Sequence, residues 1–272
     1  LTSRRPDTTR VWDLKTQFRE ASGPRAANWS TLPLFFRRRG YITVGMGKIF
    51  HPVPWRNASD DIAGGSWSRR YFHGRGGEDT KHPLSETNCG LASAIASDEA
   101  FTDGMLAQHA VETLRGLADD RNSSIISAQP QPLFLAIGFH RPHLPWIVPQ
   151  KYFDLYPDEE DIPLASCPLP PIDYNATGAQ QFSWDPQSGP RHCAPLYNET
   201  YVTHVLPEYA LLDNKTARHF RRSYWAAVSQ MDRNVGVVLD EVSKLGLADS
   251  TLTVIMGDHG WQLGDLGEWG KK

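Results

Sequence analysis

Three short stretches of this 272-residue chain set metal ligands, acids or cations directly behind an apolar or β-branched run. Asp258 and His259 follow residues 251–256 (TLTVIM), with Gly257 and Gly260 on either side. A carboxylate beside an imidazole suits an ion that takes oxygen and nitrogen ligands. Lys271, thirteen positions after Asp258, offers a cation to an anionic substrate. Lys48 and His51 follow a second β-rich run that starts at Tyr41, and His140, Arg141 and His143 follow a third, PLFLAIG. One carboxylate, several imidazoles and two lysines are what a metal bound beside a tetrahedral oxyanion requires. The metal and lysines neutralise charge, and a histidine protonates the leaving oxygen. The pattern therefore points to metal-assisted hydrolysis of a phosphate or sulfate ester. Each piece also has a plainer reading. Asp and Gly build turns for backbone reasons, Lys48 and His51 suit a solvated turn, and Pro142 and Pro145 set turns around His143. The recurrence behind three runs favours a site.

The elements that must present these groups follow from periodicity. Residues 41–44, 132–138 and 251–256 read as strands, the last two fully buried. Residues 28–39 read as a helix capped by Asn28 or Ser30 and stopped by Gly40. Residues 98–117 carry apolar positions at steps of three to four, with His109 as a structural member. Residues 215–245 form the strongest helical pattern: Phe220, Tyr224, Ala227, Met231, Val235, Val238, Val242 and Leu245. Residues 4–10 and 119–131 read as loops, and 53–97 and 147–210 as long irregular excursions. Helices alternating with apolar strands predict an α/β fold with a mostly parallel central sheet, which brings the strand ends to one edge, where ligands gather.

A chain of this length can bury a large core. The net charge of −3 gives no reason to expect a nucleic-acid partner. No apolar run approaches the ~20 residues of a membrane span. The three cysteines, Cys89, Cys167 and Cys193, match no zinc spacing and allow one disulfide with one thiol left over. Of eight asparagines, six stand in Asn-x-Ser/Thr sequons: Asn28, Asn57, Asn122, Asn175, Asn198 and Asn214. Chance would give about one at this Ser and Thr content. The excess predicts N-glycosylation and a secretory route, hence a lysosomal or secreted protein. The first residue is not Met, and the last follows a functional-looking loop. The chain therefore reads as an internal piece, residues 1–272 forming part of one catalytic domain.

Four motifs carry a resemblance. Residues 4–10 (RRPDTTR), 45–52 (GMGKIFHP), 138–145 (GFHRPHLP) and 257–271 (GDHGWQLGDLGEWGK) resemble the sulfatase family, in the family's order. Residues 223–236 (SYWAAVSQMDRNVG) resemble its long helix before the Asp-His-Gly run. Within the family, the motifs are most similar to the branch that removes 2-O-sulfate from iduronate in heparan and dermatan sulfate. The resemblance implies an alkaline-phosphatase-like α/β domain, one Ca2+ ion, and a formylglycine nucleophile made from a Cys in a Cys-x-Pro-Ser-Arg motif. It implies Asp258 and His259 as calcium ligands, although calcium more often takes oxygen alone. Lys48 and Lys271 would contact the sulfate, and His51 would help release it. His143 would protonate the departing sugar oxygen, and Trp261 would lie near the sugar. The partner would be a sulfated glycosaminoglycan or another sulfate ester.

The chain also departs from the pattern. None of its cysteines stands in Cys-x-Pro-Ser-Arg, so the nucleophile and paired aspartates are expected upstream of Leu1, and the 272 residues alone are expected to be inactive. Leu266 stands where the iduronate-type motif has His, and residues 11–27 are a few positions longer. Two rivals keep much of the chemistry. One is a non-catalytic relative that binds sulfated glycans. The other is a phosphatase or phosphodiesterase, which would want two metals and a second dense ligand cluster.

Overall fold

The computed structural model describes residues 2–13, 16–50, 61–62, 64–74, 76–81, 91–123, 131–168, 201–202, 211–267 and 269. Its elements in chain order are α1 (Pro6–Thr9), α2 (Phe18–Ala21), α3 (Leu32–Arg37), β1 (Ile42–Gly47), α4 (Glu78–Lys81), β2 (Leu91–Ala94), α5 (Thr102–Ser123), β3 (Leu133–Gly138), β4 (Trp146–Pro149), α6 (Gln150–Phe153), β5 (Tyr201–Val202), β6 (Leu211–Leu212) and α7 (Asn214–Lys244). Short 3-10 turns join several of them. The chain divides into two compact units. Unit 1 holds Leu1–Arg75, Thr102–His140 and Val237–Leu245; unit 2 holds Gly76–Phe101, Arg141–Gly236 and Gly246–Lys272.

Unit 1 is built on a parallel ladder. β1 pairs with β3 in register from Ile42↔Leu133 to Gly47↔Gly138. β1 is buried almost throughout, because its glycines admit neighbours at close range. A Cβ on Gly45 would lie 2.7 Å from the Trp67 indole, so the ring packs directly on the strand backbone. Phe36 of α3 stacks on Phe134 of β3 at 4.8 Å. α5 buries Leu106, Ala107, Ala110, Val111 and Leu114, one stripe at helical spacing. On the same helix His109 stacks on Phe72 at 4.0 Å, which gives it the structural role expected from its position. A polar network closes the unit's other side. Arg19 makes a two-pronged pair with Asp61 (2.5 and 2.9 Å) and also donates to the carbonyls of Ala26 and Trp29. Ser66 donates to Asp61, so this buried carboxylate is fully compensated.

Unit 2 gathers its core around β4 and most of α7. Leu144, Trp146, Val148, Tyr152, Phe153, Phe220, Ala227 and Trp269 form one buried cluster. β4 runs parallel to β2, Leu91↔Trp146 to Ala94↔Pro149, and the short β5 and β6 pair antiparallel. α7 starts sharply because the Asp213 carboxylate accepts from the amides of Lys215 and Thr216, both at 3.0 Å. Arg222 then donates to the carbonyls of Phe153 and Tyr156, fastening the segment after α6 to the helix.

The expected strand over 251–256 is not formed. Leu252, Val254, Ile255 and Met256 are 67–90 % exposed, with no ladder partner among the described residues. β-branched composition gives a segment an extended preference, but a strand and its burial need a neighbour. β3 is likewise half-buried along its length, not enclosed. The helix expected over 28–39 is shorter. It runs Leu32–Arg37, and Thr31 caps it by accepting from the Leu34 amide at 3.2 Å. Pro33 in its first turn explains the late start. The helix expected over 98–117 begins at Thr102 and continues to Ser123, into the expected loop. Residues 6–9, expected as loop, make one helical turn. The irregular stretches contain α4 and β2 in one and β4, α6 and β5 in the other. Among the described residues no helix is long and apolar enough to cross a membrane.

Candidate active site

In unit 1 the ends of β1 and β3 meet backbone to backbone. The Lys48 amide donates to the Gly138 carbonyl at 2.7 Å. Gly47 sits at φ 72°, and a Cβ there would lie 2.1 Å from the Gly138 oxygen. A Cβ on Gly138 would lie 2.2 Å from the Lys48 carbonyl carbon and oxygen. Glycine at both strand ends is therefore what allows Lys48 to be set where it is. Tyr71 reinforces the turn, its buried hydroxyl donating to the Gly47 carbonyl at 2.7 Å. His140 leaves the end of β3, and its amide donates to the Asp103 carboxylate at 2.8 Å. Asp103 lies in the first turn of α5 and is buried. Parallel pairing thus brings Lys48 and His140 to one edge, as the strand patterns predicted. His51 lies outside the described residues.

In unit 2 the turn 141–145 carries His143. Its Nδ1 lies 2.6 Å from the Leu144 carbonyl oxygen. A carbonyl only accepts, so Nδ1 carries a hydrogen and Nε2 is the atom left to exchange a proton. The peptide bonds before Pro142 and Pro145 are both cis. The Trp146 indole N–H donates to the Pro142 carbonyl at 2.7 Å, tying this turn to the core. The edge of Trp146 also meets Trp261, 5.3 Å between ring centroids at 72°. The turn that carries His143 and the Trp261 ring are thereby both held against one buried tryptophan. The segment after Trp261 is pinned to α7: Arg221 donates to the Leu263 carbonyl at 2.8 Å, and Trp269 packs edge-on against Phe220 at 5.7 Å. Leu266, at φ 57°, donates its amide to the Cys167 carbonyl at 2.5 Å. Cys167 itself is a free, exposed thiol, while Cys89 and Cys193 lie outside the described residues.

Asp258 and His259 stand in the exposed stretch before Trp261. His259 Nε2 lies 3.4 Å from Asp258 Oδ2, with 36 % and 71 % of the two side chains exposed. That separation suits neighbouring donors around one ion bound at about 2.3–2.6 Å. The pair fits as part of a calcium site. Among the described residues no group of three or more His, Cys, Asp and Glu could hold a metal, so an ion held by this pair would need ligands beyond them. Lys271 lies outside the described residues. Of the sequon asparagines, Asn28 and Asn214 are exposed, and Asn57, Asn175 and Asn198 lie outside the described residues; Asn122 falls near the end of α5. Asp103, Tyr71 and Trp146 were not singled out from the sequence. A buried carboxylate, hydroxyl or indole that serves a backbone group has no signature in spacing.

The match to known proteins runs the length of the chain. The sulfatase family model covers residues 1–272. Iduronate 2-sulfatases of Mus musculus and Homo sapiens are each 33 % identical over 285 aligned residues, covering 100 % of this chain and 46 % of theirs. A choline-sulfatase of Rhizobium meliloti (strain 1021) is 26 % identical, covering 98 % of this chain and 48 % of its own. The chain thus spans about half the length of the curated relatives it matches. Among solved structures, the phosphonate monoester hydrolase of Agrobacterium radiobacter aligns with a TM-score of 0.56 at 19 % identity, over 90 % of this chain and 50 % of its own. That likeness establishes an α/β fold of the alkaline-phosphatase and sulfatase type. With a family model matched from end to end, and relatives 33 % identical over the whole chain, this chain belongs to the sulfatase family.

Proposed function

We propose that the protein containing this chain is a sulfuric ester hydrolase that removes 2-O-sulfate from iduronate in heparan and dermatan sulfate. The observation that carries the reaction class is His143, whose ring is fixed by the Leu144 carbonyl so that Nε2 serves as the proton donor. A sugar alkoxide is a poor leaving group, and proton transfer to it in the transition state is worth about 10²–10⁴-fold. A ring protonated at both nitrogens would give up its Nε2 proton while Nδ1–H stays on the Leu144 oxygen. Lys48 supplies positive charge to the sulfate from the rigid end of β1, and Lys271 does so from the last motif. His51 assists release of the sulfate. Trp261 offers an apolar face to the sugar ring beside the His143 turn. Asp258 and His259 would hold Ca2+ with ligands from outside this chain, and a bound calcium would draw charge from the sulfate oxygens. A formylglycine nucleophile is expected outside the 272 residues. The iduronate assignment rests on 33 % identity to iduronate 2-sulfatases across the whole chain. The sequons support a glycosylated protein routed to the lysosome or secreted.

The test is His143→Ala in the full-length protein. Turnover of a 2-O-sulfated iduronate disaccharide should fall roughly 10²–10⁴-fold more than turnover of nitrocatechol sulfate, whose leaving group needs no proton. Equal losses on the two esters would remove His143 from the acid role. A wild-type enzyme that leaves the disaccharide intact yet cleaves other sulfate esters would overturn the substrate assignment alone.

A further inference from the structure

We infer that the buried Asp79–Arg141 ion pair is a positioning device for His143; the inference rests on the sulfate-ester reading above. Arg141 opens the turn that carries His143. Its side chain is 4 % exposed and that of Asp79 6 %. Arg141 Nη2 donates to Asp79 Oδ2 at 2.8 Å and to the Ile147 carbonyl at 3.3 Å, and Nη1 donates to the carbonyl of His143 itself at 3.4 Å. One planar guanidinium thus spans the turn, from the residue bearing the imidazole to the middle of β4. Asp79, on α4, holds that guanidinium in place. The neighbouring carbonyls are committed too. Pro142 accepts from the Trp146 indole and Leu144 from the His143 ring. Every carbonyl from Pro142 to Leu144 therefore has a donor, and the backbone of the acid is fixed on both sides.

A buried ion pair is weak grounds for stability, because desolvating two charges offsets most of their attraction, and apolar residues of similar volume often do as well. What such a pair supplies here is geometry. The fork of an arginine fixes direction where a packed aliphatic chain would not. A catalytic group must be held within about 0.5 Å of its productive position, and groups behind it usually do the holding. Asp79 touches no reacting atom in this scheme; it acts through Arg141 on the backbone of His143.

Asp79→Asn removes the charge that orients the guanidinium. Arg141→Lys keeps the charge but loses the planar fork. In the full-length enzyme, kcat on an unactivated sugar sulfate should fall about 10- to 100-fold more than kcat on nitrocatechol sulfate in each variant, with KM nearly constant. The ratio of the two rates in one sample does not depend on how much of the protein folds, so reduced yield leaves the result readable. If Asp79→Asn gives no folded protein, Arg141→Lys decides. The same factor lost on both esters would show a purely structural pair and overturn the inference. A second readout is independent of turnover. In 15N-histidine NMR spectra, the His143 ring signals should shift in tautomer balance and titration midpoint in both variants. Unchanged His143 signals would also overturn the inference. A wild-type enzyme inactive on both esters would instead defeat the sulfate-ester reading and leave the NMR result standing.

Discussion

Replacing Gly138 by alanine tests whether Lys48 is set by the contact of two strand ends. The new Cβ would lie 2.2 Å from the Lys48 carbonyl carbon and oxygen and 2.7 Å from its nitrogen. Non-bonded carbons rest about 3.5–4.0 Å apart, so β1 and β3 must part by roughly 1 Å at their ends. All three clashing atoms are backbone, so no rotamer change relieves them. Overpacking of this kind costs about 1–3 kcal/mol. The Lys48 N–H to Gly138 carbonyl bond, 2.7 Å long, is stretched by the same movement. Its loss adds about 1 kcal/mol, giving about 2–4 kcal/mol in all. For a chain of this size that lowers Tm by roughly 4–16 °C. If Lys48 contacts the sulfate, a shift of about 1 Å should also lower kcat/KM about 10²-fold. Thermal unfolding followed by circular dichroism reads the first effect, and steady-state hydrolysis of nitrocatechol sulfate by the full-length protein the second. A Tm within about 1 °C of wild type would refute the close contact. A lowered Tm with unchanged kcat/KM would refute the role given to Lys48.

Four further outcomes are expected. Gly236, inside α7, has nothing within 4 Å of an added Cβ, so Gly236→Ala should stabilise by about 0.5–1 kcal/mol in chemical denaturation; a loss would mean a neighbour occupies that face. Phe220 is fully buried against Trp269, and Phe220→Ala should destabilise unit 2 by about 3–5 kcal/mol, read as faster hydrogen exchange in β4 and α6. The Glu241 carboxyl is held below its ordinary value chiefly by its hydrogen bond to Arg115 at 2.7 Å. A lowered carboxyl pKa adds stability above the unfolded value, so wild type should exceed Glu241→Gln in Tm near pH 7, and the gap should close as pH falls below about 4.3; a gap that widens with acid would reverse the sign. Asp258→Asn should weaken calcium binding by the full-length protein at least about tenfold in calorimetric titration, because a bound carboxylate loses its charge; unchanged affinity would remove Asp258 from the site.

The sequence alone determined the family and much of the frame. The long helix now seen over Asn214–Lys244 was legible because its apolar stripe repeats over many turns, and β1 and β3 because each is a short apolar run ended by glycine. Local pattern suffices where one element carries its own periodicity. The family model matches residues 1–272, and that end-to-end match settles the family. Tertiary structure decided what depends on partners distant in the chain. Residues 251–256 have strand composition yet lie exposed, since pairing belongs to two segments and composition to one. Thr31, not Asn28 or Ser30, caps α3, because any of three hydroxyl or amide residues fits the pattern and only one backbone path brings an oxygen to the Leu34 amide. The acid candidate His143 was visible as a residue type. Its tautomer was not, because that is set by a carbonyl 2.6 Å away. Nor was the Asp79–Arg141 pair, whose members stand sixty-two positions apart and meet only when α4 packs beside the His143 turn.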